Sequence, residues 1–307
     1  MDERLKETVE KVVRLCRQEP EFDRALRAAL RAGEGPSSAA APAADDGDLM
    51  EQIYEYCIAR IIEKQAIDFY KNFPMRDISA SLTKDFCRME HFRRKDNFED
   101  FCLALYQQIE CICNRLCDEP KLNDIAERMW QCPAYVKWGK NSTPSIDKRS
   151  DNSDYTVAAL VFGKAKDKAT NKEDRSKKKL QEQTAIYKMR AIVYFIGYGA
   201  CMRSADYDIF KNHTAALSDI YQCRNLNHRG GKTEKWQEDT LNRILPSKSV
   251  YFLKFLGTLT QFVEETTTGM RKLDDIHRYA LSLIPKMAIP EQPGQERTAA
   301  DTGTKSK

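Results

Sequence analysis

The residues best suited to chemistry lie in the stretch DIYQCRNLNHRGG, at positions 219–231. Arg224 and His228 are four residues apart, so on a helix their side chains lie on the same face. An imidazole that titrates near neutral pH can accept or donate a proton, and a guanidinium beside it can hold a phosphate. Together these two groups suit attack of an RNA 2′-hydroxyl on its adjacent phosphate, a reaction that requires neither a metal ion nor a cofactor.

The same residues also suit an ordinary helix C-terminus. Cations and amides interact favourably with the last carbonyl groups of a helix, and Gly230–Gly231 is typical of a helix end. One chain supplies a single histidine here, whereas acid–base cleavage is easier with two. A symmetric homodimer would bring two arginine–histidine pairs to one cleft.

A second arginine–histidine pair is a weaker candidate. Arg271 and His277 have five residues between them, in the stretch RKLDDIH. The pair lies late in the chain, and no obvious core-forming helix follows it. Arg224 and His228 are therefore the preferred pair.

Other residues are candidates for RNA binding. His91, Arg93 and Arg94 form a basic, aromatic-flanked patch in MEHFRRKDNF, which could line an RNA path or be a charged loop before a helix. Lys177, Lys178 and Lys179 end the lysine-rich run 163–179, which is either a solvated, mobile segment or a phosphate contact. Arg229 extends the catalytic stretch, and His213 is most simply a helix-start residue.

The composition predicts an all-α protein. Only 13 glycines and 11 prolines occur among 307 residues, and long stretches lack both. The net charge of +4 is too mild to indicate a nucleic-acid binder by itself. The longest uncharged apolar run, 191–202, is shorter than the roughly 20 residues of a membrane span. The polar N-terminus lacks the apolar segment of a secretory signal, so we expect a cytoplasmic protein without membrane association.

The ten cysteines favour reduced, buried thiols. None forms a Cys-x-x-Cys pair, and most lie among apolar neighbours. Cys111, Cys113 and Cys117 cluster, but no nearby histidine completes an obvious metal site. Glycine-loop, zincin and Gly-x-Ser-x-Gly motifs are absent from the sequence, which argues against ATP hydrolysis and serine hydrolase chemistry.

Four regions follow from the distribution of apolar residues. Residues 1–32 form two short amphipathic helices, and residues 33–48 have the composition of a flexible linker. Residues 49–289 form the main helical domain, and residues 290–307 a disordered tail. The first module is too short to hold much core, so we expect it to dock on an unknown partner or on another copy.

Helices are expected where apolar residues recur every three or four positions. Predicted helices begin near Leu49, near Ser79 and at Phe98, where Asn97 is the predicted N-cap. Further helices are predicted from about Leu180 to Met202, from Ala215 to about Arg224, and from about Pro246. The polar stretch GGKTEKWQEDT separates the last two. Residues 155–163 are either a strand or a buried helical turn.

The catalytic stretch and its surroundings resemble the HEPN domains. RNLNHRGG is preceded by AALSDIYQC and followed, after a polar insertion, by LPSKSVYFLKFLGTLTQF. HFRRKDNFEDFCLALYQQIECICNRL is similar to the upstream part of such a bundle, so the resemblance covers roughly residues 50–285. Many members are dimeric, metal-independent ribonucleases of toxin, antiphage and CRISPR-linked systems. In the family motif four to six residues separate the arginine from the histidine, whereas three separate Arg224 from His228 here.

The resemblance implies a HEPN-like helical bundle with a small N-terminal appendage. The activity it implies is metal-independent cleavage of RNA in stress response, toxin–antitoxin function or phage defence, leaving a 2′,3′-cyclic phosphate. In this reading Arg224 binds phosphate, Asn225 orients the scissile group and His228 is the general acid/base. The alternative is a non-catalytic helical adaptor that binds RNA or protein and recruits its partner through residues 1–32.

Overall fold

The structure is a computed structural model that describes residues 3–33, 46–132, 136–137, 156–162, 178–198, 205–224 and 235–287. The chain divides into two compact units, Met1–Glu55 and Tyr56–Lys307. Regular structure in the described residues is almost entirely helical, which confirms the predicted all-α fold class.

The first unit contains the two predicted amphipathic helices, α1 (Glu3–Gln18) and α2 (Pro20–Gly33). Pro20 stands at the start of α2, where its missing N–H leaves no helical hydrogen bond unmade. Phe22 is buried, whereas Val9 and Val13 on α1 remain 46% and 42% exposed. The apolar stripe of α1 is therefore only partly covered.

The predicted linker and tail fall mainly outside the described residues. Gly33 is still the last residue of α2, and helix α3 (Asp46–Tyr70) begins three residues before the predicted start of the main domain. Residues 34–45 and 288–307 lie outside the described part of the chain.

The remaining elements follow α3 in chain order. They are α4 (Ser79–Arg94), α5 (Phe98–Cys117), α6 (Pro120–Met129), α7 (Val157–Phe162), α8 (Ala185–Ile192), α9 (Tyr207–Cys223), α10 (Lys235–Ile244), α11 (Lys248–Arg271) and α12 (Leu273–Met287). Two-residue strands β1 (Val136–Lys137) and β2 (Ala205–Asp206) pair in parallel, and Val136 lies opposite Ala205. Residues 155–163, predicted as strand or helical turn, contain α7 and so are helical over its length.

Helix α5 carries the largest buried face of the second unit. Every position in its predicted apolar pattern is buried: Phe98, Phe101, Cys102, Leu105, Ile109, Ile112, Cys113 and Leu116. Phe98 stacks on Phe255 of α11 with ring centroids 6.0 Å apart, and Phe101 meets Phe252 edge-on at 4.8 Å. Helix α11 therefore covers one side of α5 near its N-terminus.

The turn between α4 and α5 is defined by two caps. Asp96 adopts a left-handed backbone (φ 53°), and the N–H of Asn97 donates to the carbonyl of Phe92 at 3.0 Å. This is the hydrogen-bond pattern of a left-handed helix C-cap. The side chain of Asn97 then accepts from the N–H of Asp100 at 3.2 Å, which confirms the predicted N-cap of α5.

The helix predicted from Leu180 to Met202 is interrupted. A 3₁₀ turn (Leu180–Glu182) precedes α8, and a six-residue π-helix (Val193–Tyr198) follows it directly. Residues 199–202 lie outside the described part of the chain. Periodicity missed the interruption because the π-helix is fully apolar and gives no polar marker.

Two further helices differ from the sequence prediction. Helix α9 begins at Tyr207 rather than near Ala215, so His213 lies inside the helix and is buried rather than at a helix start. The polar stretch after Gly230 contains the first six residues of α10, which ends with Leu241 and Ile244, three positions apart and both packed on the core.

Candidate functional site

Arg224 stands directly after the last residue of α9 and is 24% exposed. Residues 225–234 lie outside the described part of the chain. Asn225, His228 and Arg229 therefore remain sequence predictions without a position in the structure. The site can be built only from Arg224 and the side chains around it.

The guanidinium of Arg224 occupies a corner formed by two tyrosines. Its central carbon lies 4.2 Å from the ring centroid of Tyr106 and 4.1 Å from that of Tyr221. The two ring planes are nearly perpendicular, at 70°. Each such contact stabilises a cation by about 0.5–2 kcal/mol, depending on how far water is excluded. The corner therefore fixes the orientation of the guanidinium while the group keeps some exposure to solvent.

A carboxylate completes this constellation. Glu110 Oε1 lies 3.9 Å from Nη1 of Arg224 and accepts a 2.7 Å hydrogen bond from the Tyr106 hydroxyl. Burial, and next the hydrogen bond to Glu110, raise the pKa of Tyr106 far above its ordinary value. Tyr106 consequently remains a protonated donor, so its phenol is not a candidate general base.

Local sequence explains how these groups meet. Tyr106 and Glu110 are one turn apart on α5, and Tyr221 precedes Arg224 by three residues on α9, so each pair shares a helix face. Below them, the thiols of Cys102 on α5 and Cys223 on α9 are both buried. Burial, and next the neighbouring Cys223, raise the pKa of the Cys102 thiol.

The arrangement can bind an oxyanion. A guanidinium offers donors in one plane and pairs well with phosphate. The side chain of Arg224 is 24% exposed, and a carboxylate at 3.9 Å on a partly exposed pair contributes at most about 1 kcal/mol. A phosphate could therefore compete successfully with Glu110 for Arg224.

The competing pair Arg271 and His277 does not form a joint site. Nη2 of Arg271 donates to the backbone carbonyl of Asn72 at 2.9 Å. The His277 ring Nε2 lies 2.7 Å from Oδ2 of Asp124, which also accepts from Arg128. Each residue thus has a structural partner on a different helix or turn, and the two side chains do not converge.

The predicted basic patch at 91–94 lies in the last turn of α4. Arg93 is held by Glu90 through a short contact of 2.7 Å, and Glu90 is only 4% exposed. Its charge is therefore largely balanced within the fold. His91 is half-buried beside Phe92, and Arg94 is exposed.

The predicted lysine cluster is only partly described. Lys178 is half-buried and its backbone carbonyl accepts from Gln183 at 3.1 Å, whereas Lys179 is exposed next to the 3₁₀ turn. Lys177 lies outside the described residues. These positions remain predicted RNA contacts.

Sequence reasoning missed the three neighbours of Arg224. Tyr221 lies within residues 219–231, and its i, i+3 relation to Arg224 is a usable signal. Glu110 could have been noticed as an acidic residue within an apolar helix. Their meeting with Arg224 across two helices had no signal in local spacing.

Most of the cysteines in the described ranges lie in the core. The described cysteines are all free, and five of them are buried: Cys102, Cys113, Cys117, Cys132 and Cys223. Burial raises the pKa of the Cys117 thiol to about 12. Within the described ranges, no three Cys, His, Asp or Glu side chains converge as metal ligands would.

The fold and the site together define an all-α protein with an arginine held in an aromatic corner. No helix in the described part of the chain has the length and apolar character needed to cross a membrane. No protein-family model, curated protein or solved structure matches the chain.

Proposed function

We propose that this chain is a metal-independent endoribonuclease of the HEPN type that acts in stress response or phage defence. Arg224 binds the scissile phosphate, His228 is the general acid/base and Asn225 orients the reacting group. The observation that carries the proposal is the partly exposed guanidinium of Arg224, oriented by Tyr106 and Tyr221 and followed four residues later by a histidine.

The reaction needs only these groups. A base takes the proton of the RNA 2′-hydroxyl, and the 2′-oxygen attacks the adjacent phosphorus. The bond from phosphorus to the 5′-oxygen of the next nucleotide breaks, and an acid protonates that oxygen. The products are a 2′,3′-cyclic phosphate and a 5′-hydroxyl. Arg224 stabilises the negative charge that develops on the phosphoryl oxygens.

A homodimer fits this chemistry better than a monomer. One chain has a single histidine in the stretch, whereas base and acid steps on opposite sides of the phosphate favour two. Two copies related by a two-fold axis supply them. Sedimentation of the purified full chain should therefore give about twice the monomer mass, and a purely monomeric active enzyme would remove the two-histidine mechanism.

The test uses the competing arginine–histidine pair as its control. Purified full-length protein is incubated with mixed RNA in EDTA, and the 3′ ends are analysed. We expect cleavage with cyclic phosphate ends from the wild type, and loss by a factor of at least about 100 in Arg224→Ala and His228→Ala, as expected for removal of an acid–base group or a charge stabiliser. Arg271→Ala and His277→Ala should cleave normally. RNA left intact by wild type would exclude the proposal.

A second function has its own support in the first unit. Val9 and Val13 leave an exposed apolar stripe on α1, and such a stripe is typical of a surface that packs on a partner. In this alternative the chain is a non-catalytic adaptor that binds RNA or protein. Deletion of residues 1–48 separates the two functions. Cleavage that persists without partner association supports the nuclease. Loss of function, with no RNA cleavage by the full-length or the shortened protein, supports the adaptor.

A further inference from the structure

One face of α5 meets three basic side chains from three different helices. Gln107, Glu110 and Asn114 follow the i, i+3, i+7 spacing and so share a face of the helix. This face lies opposite the buried one that packs on α11. It is half-buried at Gln107 and Glu110 and exposed at Asn114. We call it the open face of α5.

Arg88 of α4 contacts Gln107, the first of the three residues on the open face. Its Nη1 donates to Oε1 of Gln107 at 2.9 Å and to Oδ1 of Asp85 at 3.0 Å. Both hydrogen bonds use the same terminal nitrogen, and the side chain is 40% exposed. The other donors of the guanidinium are therefore oriented but not consumed by these two bonds.

Lys188 of α8 contacts Asn114, the last of the three residues on the open face. Its Nζ donates to Oδ1 of Asn114 at 2.9 Å. The partner is a neutral amide, so this bond orients the ammonium without cancelling its charge. Arg224 contacts Glu110 and so lies between Arg88 and Lys188 along the helix. Cations from α4, from the residue that follows α9 and from α8 are thus placed in order along one helix face.

We propose that the open face of α5 binds the backbone of single-stranded RNA, with successive phosphates contacted by Arg88, Arg224 and Lys188. This inference rests on the proposed function, because it names how the substrate lies across the same site. From Gln107 to Asn114 the helix rises ~10 Å, and three successive phosphates of a stacked strand, separated by two steps of ~3.4 Å, span a comparable ~7 Å. The scissile phosphate is then the middle one, at Arg224.

The charges on this face fit a weak, salt-sensitive contact. Asp85 and Glu110 partly balance Arg88 and Arg224, whereas Lys188 has an amide as its hydrogen-bond partner. A phosphate forms a stronger hydrogen bond with an ammonium than a neutral amide does, so it can replace Asn114 as the acceptor of Lys188. The rings of Tyr106 and Tyr221 are engaged by Arg224, so they do not serve as stacking platforms for bases. Recognition is consequently of the backbone, with little sequence preference.

The predicted patch in the last turn of α4 extends the same line. His91 follows Arg88 by three residues, so the two side chains lie on neighbouring positions of one helix face. α4 runs antiparallel to α5, since Arg88 meets Gln107 and Arg115 reaches back to Asp77 just before α4. His91 therefore lies beyond Arg88 in the direction of the α5 N-terminus, where a longer RNA would continue.

The test measures binding, with cleavage removed. Full-length His228→Ala protein is titrated against a labelled single-stranded RNA of about a dozen nucleotides, at several salt concentrations. For single strands the slope of log affinity against log salt is about −0.7 per neutralised phosphate, so three contacts predict a slope near −2. Arg88→Ala and Lys188→Gln should each weaken binding and reduce the slope by about 0.7.

Two variants control for charge and folding. Lys254→Ala removes a cation from α11, which covers the opposite side of α5, and should leave the slope unchanged. Lys188→Arg keeps the charge and should keep the slope, whereas unchanged binding in a folded Lys188→Gln protein would overturn the inference. So would tighter binding of double-stranded than of single-stranded RNA.

The outcomes separate this inference from the proposed function. If wild type leaves RNA intact but Lys188→Gln and Arg88→Ala weaken RNA binding, the nuclease proposal fails and the open face of α5 stands as an RNA-binding surface. If wild type cleaves RNA and neither variant changes affinity or slope, the nuclease stands and this inference is wrong.

Discussion

The guanidinium carbon of Arg224 lies 4.1 Å from the ring centroid of Tyr221, which stands three residues earlier in the same chain segment. A side chain of the candidate site is thus positioned by its own helix as well as by α5. The π face of the Tyr221 ring contacts the guanidinium, and the hydroxyl of Tyr221 takes no part in this contact.

Replacing Tyr221 tests the aromatic corner. Tyr221→Phe keeps the ring and should leave RNA affinity and cleavage near wild type. Tyr221→Leu keeps the apolar bulk but loses the cation–π contact, which contributes about 0.5–1 kcal/mol at a partly exposed site. We expect weaker RNA binding by a factor of a few and a slightly lower melting temperature. Equal behaviour of both variants would show that the ring does not position Arg224.

His213 predicts a pH dependence of stability. It is buried in α9, where its Nδ1 lies 3.4 Å from Nε2 of Gln261 and its Nε2 has no hydrogen-bond partner among the described residues. Burial lowers the pKa of His213 from 6.5 to about 4. Oε2 of Glu265 lies 3.5 Å from Nδ1, but burial of the ring is what sets the direction of the shift.

The sign of the effect follows from which state takes up the proton. Between pH 6.5 and about 4 the unfolded chain protonates this imidazole and the folded chain does not. Stability is therefore full above pH 6.5 and falls as the pH drops to about 4, by about 3 kcal/mol. Urea unfolding across this range should show the decline, and His213→Gln should remove most of it. An undiminished decline in that variant would assign it to other groups.

Gly269 marks a close approach of α11 to the π-helix. A Cβ at Gly269 would lie 2.1 Å from Cγ2 of Ile196, too close for any side chain. We expect Gly269→Ala to destabilise the fold by about 1–3 kcal/mol through overpacking. Combination with Ile196→Ala should cost less than the sum of the two single changes, because the 2.1 Å contact with Cγ2 is then removed.

Gly257 in the same helix is the matched control. A Cβ there meets nothing within 4 Å. Gly257→Ala should therefore stabilise the protein by roughly 0.5–1 kcal/mol, since alanine loses less backbone entropy in a helix. Chemical denaturation of both variants measures the contrast. Equal effects at the two glycines would contradict the packing of α11 on the π-helix.

The N-cap of α5 gives a fourth prediction. Asn97 accepts from the N–H of Asp100 at 3.2 Å. Asn97→Ala should cost about 1 kcal/mol, whereas Asn97→Ser keeps a capping oxygen and should cost little. The free energy of unfolding, measured with denaturant, separates the two. A neutral alanine substitution would mean that solvent satisfies the end of α5 equally well.

Local pattern predicted the elements well where one helix face is buried. The apolar stripe of α5, its cap at Asn97 and the two helices of the first unit follow from spacing alone. The π-helix at Val193 did not, because an all-apolar run has no polar face to set its period. The early start of α9 did not either, because two residues of its buried face, His213 and Thr214, are polar. Partners far apart in sequence had no local signal: Glu110 and Arg224 are on different helices, and His277 meets Asp124 across 153 positions.

The aromatic corner around Arg224 has a spectroscopic consequence. Protons held over the faces of two tyrosine rings are shielded by their ring currents, and the guanidinium carbon lies within 4.2 Å of both centroids. The Nε–H and δ-methylene resonances of Arg224 should therefore be displaced upfield from those of a solvent-exposed arginine. Their movement on titration would follow one guanidinium directly and reveal whether it leaves the corner when an anion arrives.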